Sequence, residues 1–128
     1  MKNFFALTFL LFLFSCSTTE KIANPNIKIY DDSILDIIDM YSEIEQLADS
    51  ISLPEGPVWD NASNSLLFVD VMNNKLFKWN EEEGTKEYIS PSGNTGYAPN
   101  VNLGLLGANG LMIDESGDLI VCQHGDRR

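Results

Sequence analysis

Basic side chains are scarce in this chain: eight Lys and Arg against 19 Asp and Glu leave a formal charge of −11. The few positive charges are also dispersed, so no patch exists to neutralise a phosphate backbone, and nucleic acid is not a partner. Cysteine is equally sparse, with only Cys16 and Cys122. Because Cys16 belongs to an export segment, one thiol remains, and no disulfide framework can compensate for a small core. HExxH, GxSxG and a Walker loop are all absent, which removes support for a zincin, an elbow-type serine hydrolase and a P-loop nucleotide phosphatase. Asp114, Ser116 and Asp118 open like an EF-hand loop. Leu119 then stands where that loop needs glycine and Gly125 where it needs its bidentate glutamate, so the EF-hand is rejected. Nor is there a membrane-spanning run: the mostly apolar stretch Phe4 to Phe14 is about half of the roughly 20 residues a spanning helix needs.

What is present begins with that stretch. One basic residue, Lys2, precedes the apolar segment, and the segment ends in a small residue and a cysteine, the pattern of an export signal. Leu13, Phe14, Ser15 and Cys16 resemble the lipobox of bacterial lipoproteins, in which the cysteine becomes the lipidated first residue of the mature chain. The expectation is a signal helix over residues 1–15, lipidation at Cys16, and a protein exported and held at the bacterial cell envelope through its lipid. Residues 16–31, polar and without periodicity, read as a tether. In residues 32–50, Ile34, Ile37, Ile38 and Tyr41 recur at helical spacing behind Asp32 and Ser33, which predicts a short helix near residues 33 to 41 capped by one of the two. The stretch from Glu43 to Ile51 is read as an outer, lead-in strand.

From residue 51 to 128 the texture changes to short apolar runs divided by Asn, Ser and Gly clusters, which predicts an antiparallel meander. Leu66 to Val71 and Lys75 to Trp79 flank "MNN", a hairpin turn. Glu81, Glu82 and Glu83 before Gly84 read as a solvated turn. Cys122 is expected to be a buried strand residue. A weak repeat underlies the pattern: "EGPVWDNASNSLLFVD" lies over "NGLMIDESGDLIVCQ" at an offset of 53 to 54 residues. Glu55 falls against Asn109, Gly56 against Gly110 and Asp60 against Asp114. Repeats of this size, each an apolar strand, a polar turn and a second apolar strand, are the pattern of propeller blades. Equivalent positions of successive blades face one axis, so Glu55 and Asn109 are expected to converge. Between the copies, the Gly-, Asn- and Pro-rich segment from Ser90 to Ala108 reads as a rim loop, with a linker as the alternative.

Carboxylate and amide oxygens gathered on an axis suit a hard divalent cation. Glu55 is therefore read as a metal ligand or, alternatively, as a hydrated cap at the rim. His124 shares a strand face with Cys122. It is either a structural histidine or, as the only imidazole, a proton shuttle or substrate contact.

The segments "LPEGPVW", "LLFVDVMNNKLFKW", "GNTGYAP", "GANGLMID" and "LIVCQHGDRR" together resemble the N-terminal part of the gluconolactonase-like family that includes senescence marker protein (regucalcin), from about Ile44 to Arg128. The resemblance implies an all-β fold: a partial β-propeller with about one and a half to two blades of the family's six. It also implies one divalent metal, calcium or else zinc, and hydrolysis of sugar-acid lactones or related esters. By resemblance Glu55 is the first metal ligand, Asn109 a substrate-contacting residue, and His124 a residue returning to the mouth. The family's remaining ligands, an asparagine and an aspartate that is also the favoured general base, belong to later blades beyond residue 128. The catalytic residues are thus unassigned, and the chain is expected to be an inactive fragment of such an enzyme. The alternative is a non-catalytic envelope propeller that binds a sugar or a protein.

Overall fold

Strict alternation in "SLLFVD" makes one edge of the strand, Leu67 and Val69, turn one way, and the other, Leu66 and Phe68, turn the opposite way. Both faces find cover, and the protein is built around that strand. The computed structural model describes residues 22–98 and 106–128. The expected signal helix, Cys16 and the middle of the long loop lie outside the described residues. Two units are distinguished, one ending at Ile44 and one running from Glu45 to Arg128.

In the first unit the expected helix over 33 to 41 is only a 3-10 turn, Asp32–Asp36, and its N-cap is Asp31 rather than Asp32 or Ser33. The Asp31 carboxylate accepts hydrogen bonds from the Ser33 backbone N–H at 2.9 Å and the Ser33 hydroxyl at 2.7 Å, and these hydrogen bonds hold its carboxyl below the usual range. Two features stop the helix early. Ile34, Ile37 and Ile38 are β-branched and exposed, so neither propensity nor burial extends it. Asp39 then takes the Tyr41 N–H at 2.9 Å into a local turn that competes with helix.

In the second unit, strands β1 (Pro54–Asp60), β2 (Ser65–Asp70), β3 (Lys75–Asn80) and β4 (Gly84–Ile89) form one antiparallel meander in sequence order. Strands β5 (Ala108–Ile113) and β6 (Leu119–Gln123) pair antiparallel in a second sheet. The fold of this unit is all-β, one complete four-stranded blade followed by the first hairpin of another, as a partial propeller requires. Leu67, Val69, Val71, Leu76 and Ala108 make the buried core, and Val58, Leu111, Ile113, Leu119 and Val121 pack against it from both sheets. On the opposite face Phe68 stacks on Phe77 with centroids 5.6 Å apart, directly across the β2–β3 ladder.

The turns repeat as the strands do. Asp60, the last residue of β1, and Asp114, the residue just after β5, are equivalent in the sequence repeat, and both accept the backbone N–H two residues on, from Ala62 and Ser116. The "MNN" turn is present and closes with Asn74 at φ 56°, and the corresponding turn after β6 closes with Arg127 at φ 59°. The expected strand between Glu43 and Ile51 is not formed. Its place is taken by side-chain ties: the Thr85 hydroxyl donates to the Leu47 carbonyl at 2.7 Å, and Asp70 accepts from the Ser52 and Leu53 N–H groups at 2.9 and 3.2 Å. Cys122 is exposed rather than buried, because Leu119 and Val121 take the core-facing positions of β6 and leave Ile120 and Cys122 on its other side.

Asp70 is only 1 % exposed, which would be costly for an unpartnered charge. Burial pushes its carboxyl up, but hydrogen bonds from Ser52, Asn73 and Leu53 outweigh this and hold it below its usual value. A lowered folded-state value means that the carboxylate stabilises the fold above its ordinary value of 3.8 and ceases to as pH falls through the lower one. Between about pH 4 and pH 2 the urea midpoint of the wild type should therefore fall further than that of Asp70→Asn, and parallel pH profiles would contradict this role. Leu76→Ala, at a fully buried position, should cost about 3 kcal/mol in the same unfolding experiment.

Candidate functional site

Glu55 and Asn109 lie at matching irregularities. The β1–β2 register shifts between Glu55 and Val58, and the β5–β6 register shifts between Ala108 and Leu111. Such bulges bend a strand and re-aim its side chains. In β1 the local cause is legible: Gly56 adopts φ 54°, a left-handed conformation that glycine adopts without penalty, and Pro57 has no N–H for the ladder.

The two bulges touch. A Cβ placed on Gly56 would collide with the Asn109 carbonyl oxygen and come within 3.1 Å of the Leu111 nitrogen. Only a glycine allows the backbones of β1 and β5 to approach this closely, and the approach sets the Glu55 backbone beside that of Asn109. The side chains then diverge in their surroundings. Glu55 is exposed and borders a hollow of about 250 Å³ walled by Leu47, Pro54, Pro57, Leu66 and Phe68. Asn109 and His124 share a different hollow of about 360 Å³ with Cys122, Gln123, Arg127 and Arg128. The structure thus brings Asn109 and His124 together, and joins Glu55 to them through the backbone contact at Gly56.

No hydrogen bond or ion pair ties the Glu55 carboxylate to another described residue. Its oxygens, like the half-buried Asn109 amide, are open to an outside partner. Both are oxygen donors of the kind a hard cation takes. Among the described residues no group of three or more His, Cys, Asp or Glu side chains is assembled, so Glu55 and Asn109 would form only part of a donor set.

Three residues not singled out from sequence shape this end of the molecule. Asn74 accepts the N–H groups of Ser92, Gly93 and Asn94 at 3.1, 2.9 and 3.1 Å on one oxygen, and donates to the Asn94 carbonyl at 2.9 Å. Ser92, buried, accepts the Ala108 N–H at 3.2 Å where β5 begins. Asp126 is 1 % exposed and accepts from the Thr95 hydroxyl at 2.6 Å and from the Thr95 and Tyr97 N–H groups. The Thr95 hydroxyl bond, opposed by burial and aided by the backbone donors, holds its carboxyl below the usual range. A signal for Asp70 existed in "LLFVDV", where a charge inside an apolar run must find donors. The "MNN" stretch marks Asn74 as a turn residue but not its distant partners, and nothing local marks Asp126.

A family model described as the SMP-30/Gluconolactonase/LRE-like region matches residues 53–128, the two sheets together with Leu53 and the long loop. A curated protein named gluconolactonase, from Zymomonas mobilis subsp. mobilis (strain ATCC 31821 / ZM4 / CP4), is 34 % identical over 91 residues, covering 71 % of this chain and 26 % of that relative. The match thus spans about a quarter of the relative's length. No solved structure matches the chain. With more than half of its residues under the family model and its motifs on the strands described above, the chain belongs to the SMP-30/gluconolactonase/LRE-like family.

Proposed function

We propose that this chain carries part of the active site of a lactonase that hydrolyses sugar-acid lactones or related esters. The observation that supports the reading is the backbone contact between the bulges of β1 and β5, which brings Glu55, the residue before Gly56, and Asn109 to the start of successive blades, their side chains bordering two separate hollows. Family membership and the likeness to a protein named gluconolactonase point to the same chemistry.

In this reading Glu55 and Asn109 contribute oxygens to a divalent cation, calcium by donor chemistry and zinc as the second choice. A cation held there would supply Lewis-acid polarisation of a carbonyl oxygen. The protein's own groups do the rest. Glu55 supplies the negative charge that makes the mouth selective for a cation. The Asn109 amide, able both to donate and to accept, orients the substrate through its hydroxyls or ring oxygen, and the partly buried His124 offers a second polar contact in the same hollow. No described residue is assigned as the general base. With two donors among its described residues, the chain by itself is expected to hold the cation weakly and to turn over little substrate.

The reading also includes export with a lipid on Cys16 and residence at the bacterial cell envelope, on the strength of the N-terminal sequence pattern. Mass spectrometry of the mature protein should find Cys16 as the first residue, carrying acyl chains; an intact or differently cleaved N-terminus would remove the anchor.

Glu55→Gln keeps shape and removes charge. In the longest natural form of the protein it should weaken calcium binding, read by titration calorimetry, and lower kcat/KM for glucono-lactone by about 100-fold. Unchanged calcium affinity and turnover would take Glu55 out of the site.

A further inference from the structure

The loop that leads into β5 is held from two sides by side chains of two different turns. Asn74, in the turn after β2, gathers three successive N–H groups of residues 92–94 on its Oδ1. Asp126, in the turn after β6, takes Thr95 and Tyr97 on its carboxylate and donates its own N–H to the Gly93 carbonyl at 2.8 Å. Gln123 adds a hydrogen bond from its side-chain amide to the Ser92 carbonyl at 3.3 Å. The backbones pack as closely as the bonds imply. A Cβ on Gly125 would lie 2.5 Å from the Asn94 Cβ and 2.6 Å from the Leu106 carbonyl oxygen, so only glycine fits immediately before Asp126.

This clamp has a consequence at the mouth. Tyr97 is 65 % exposed, so burial does not hold its ring; its backbone N–H is fixed by Asp126 and its ring carries the Arg128 guanidinium at 4.3 Å. Arg128 is in turn anchored by donating from Nε to Gln123 at 2.6 Å, and it lines the hollow that contains Asn109 and His124. Asp126 itself does not line the hollow, and its one link to a residue that does is the long 4.0 Å ion pair with Arg128. It acts through Thr95 and Tyr97, and its two oxygens are fully engaged in doing so.

We propose that Asp126 is a positioning residue of the candidate site, fixing residues 93–97 so that the Tyr97 ring backs Arg128 and holds its guanidinium rigidly in the wall of the Asn109–His124 hollow. The positioning role rests on the lactonase reading; the clamp beneath it does not. A guanidinium held in place by an aromatic ring presents fixed donors to the hydroxyls and carbonyl oxygen of a sugar lactone, so the wall governs how tightly substrate is held rather than how fast it reacts. The comparable pair in the first blade, Asp70 and Asn73, ties down Ser52 in the same manner but places no aromatic residue at its end.

The test compares the wild type with Asp126→Asn in the longest natural form of the protein, using amide hydrogen exchange and glucono-lactone kinetics. Exchange at Thr95 and Tyr97 should quicken about 10-fold or more while β2 and β3 keep their protection. KM should rise about 5-fold or more with kcat within about twofold, a split that general loss of fold would not produce. Thr95→Val, which removes only the hydroxyl bond, should shift both readouts in the same direction and serves if Asp126→Asn does not fold. Unchanged exchange at Thr95 and Tyr97 overturns the clamp. Quickened exchange with an unmoved KM overturns the positioning role. A wild type with normal protection that neither hydrolyses nor binds the lactone overturns the lactonase reading and the positioning role with it, and leaves the clamp standing.

Discussion

Two β-strands from separate sheets approach until their backbones are in contact at Gly56 and Asn109, and most of what is distinctive in this molecule depends on that approach. Any Cβ at position 56 would strike the Asn109 carbonyl, and the left-handed φ of 54° would itself be strained in another residue. Because the strands meet there, Val58 on one side and Leu111 on the other can close over Leu67 and Val69 into a single core. The same contact places the bulges of β1 and β5 side by side. A packing requirement and the arrangement of polar groups at the mouth thus share one cause, the absence of a side chain.

Buried charge in the second unit is handled mainly by hydrogen bonds rather than ion pairs. Asp70 and Asp126 are each 1 % exposed, and each is satisfied chiefly by backbone N–H groups of a segment entering its blade. Hydrogen bonds to the charged form favour it and offset the desolvation that opposes it, so both carboxyls are held low. A carboxylate used in this way is an organiser of backbone: it terminates a loop at a fixed point where no ladder partner is available. The three ion pairs among the described residues contribute little by comparison, since Lys75–Glu87 and Lys86–Glu83 are solvent-exposed and Arg128–Asp126 is long at 4.0 Å.

Glu55 differs from these two in kind. It lies at a bulge, exposed, with no hydrogen bond or ion pair to a described residue, while the acids around it at Asp60, Asp70 and Asp114 are all engaged. Structural acids in this fold are recognisable by the donors they collect. Glu55 collects no donor among the described residues, and its backbone neighbour Gly56 meets Asn109 of the next blade, so its carboxylate has no structural task within this fold.

The residues by themselves determined the all-β class, the hairpins around "NASNS", "MNN" and "DESGD", and the repeat that pairs Glu55 with Asn109, because alternation and turn chemistry are set by neighbours within a few positions. The short helix was overestimated for a related reason: the spacing of Ile34, Ile37 and Ile38 promises an apolar face, but periodicity carries no information on whether anything covers it, and here those side chains are exposed. Cys122 misled in the same way, since an apolar run shows both faces of a strand and not which one is packed. Only the tertiary structure decided that Asn109 and His124 share one hollow while Glu55 borders another, and that Asp126 holds Thr95 across 31 positions of sequence. Partners at such separations are chosen by how sheets and loops stack, and no pattern confined to adjacent residues records that choice.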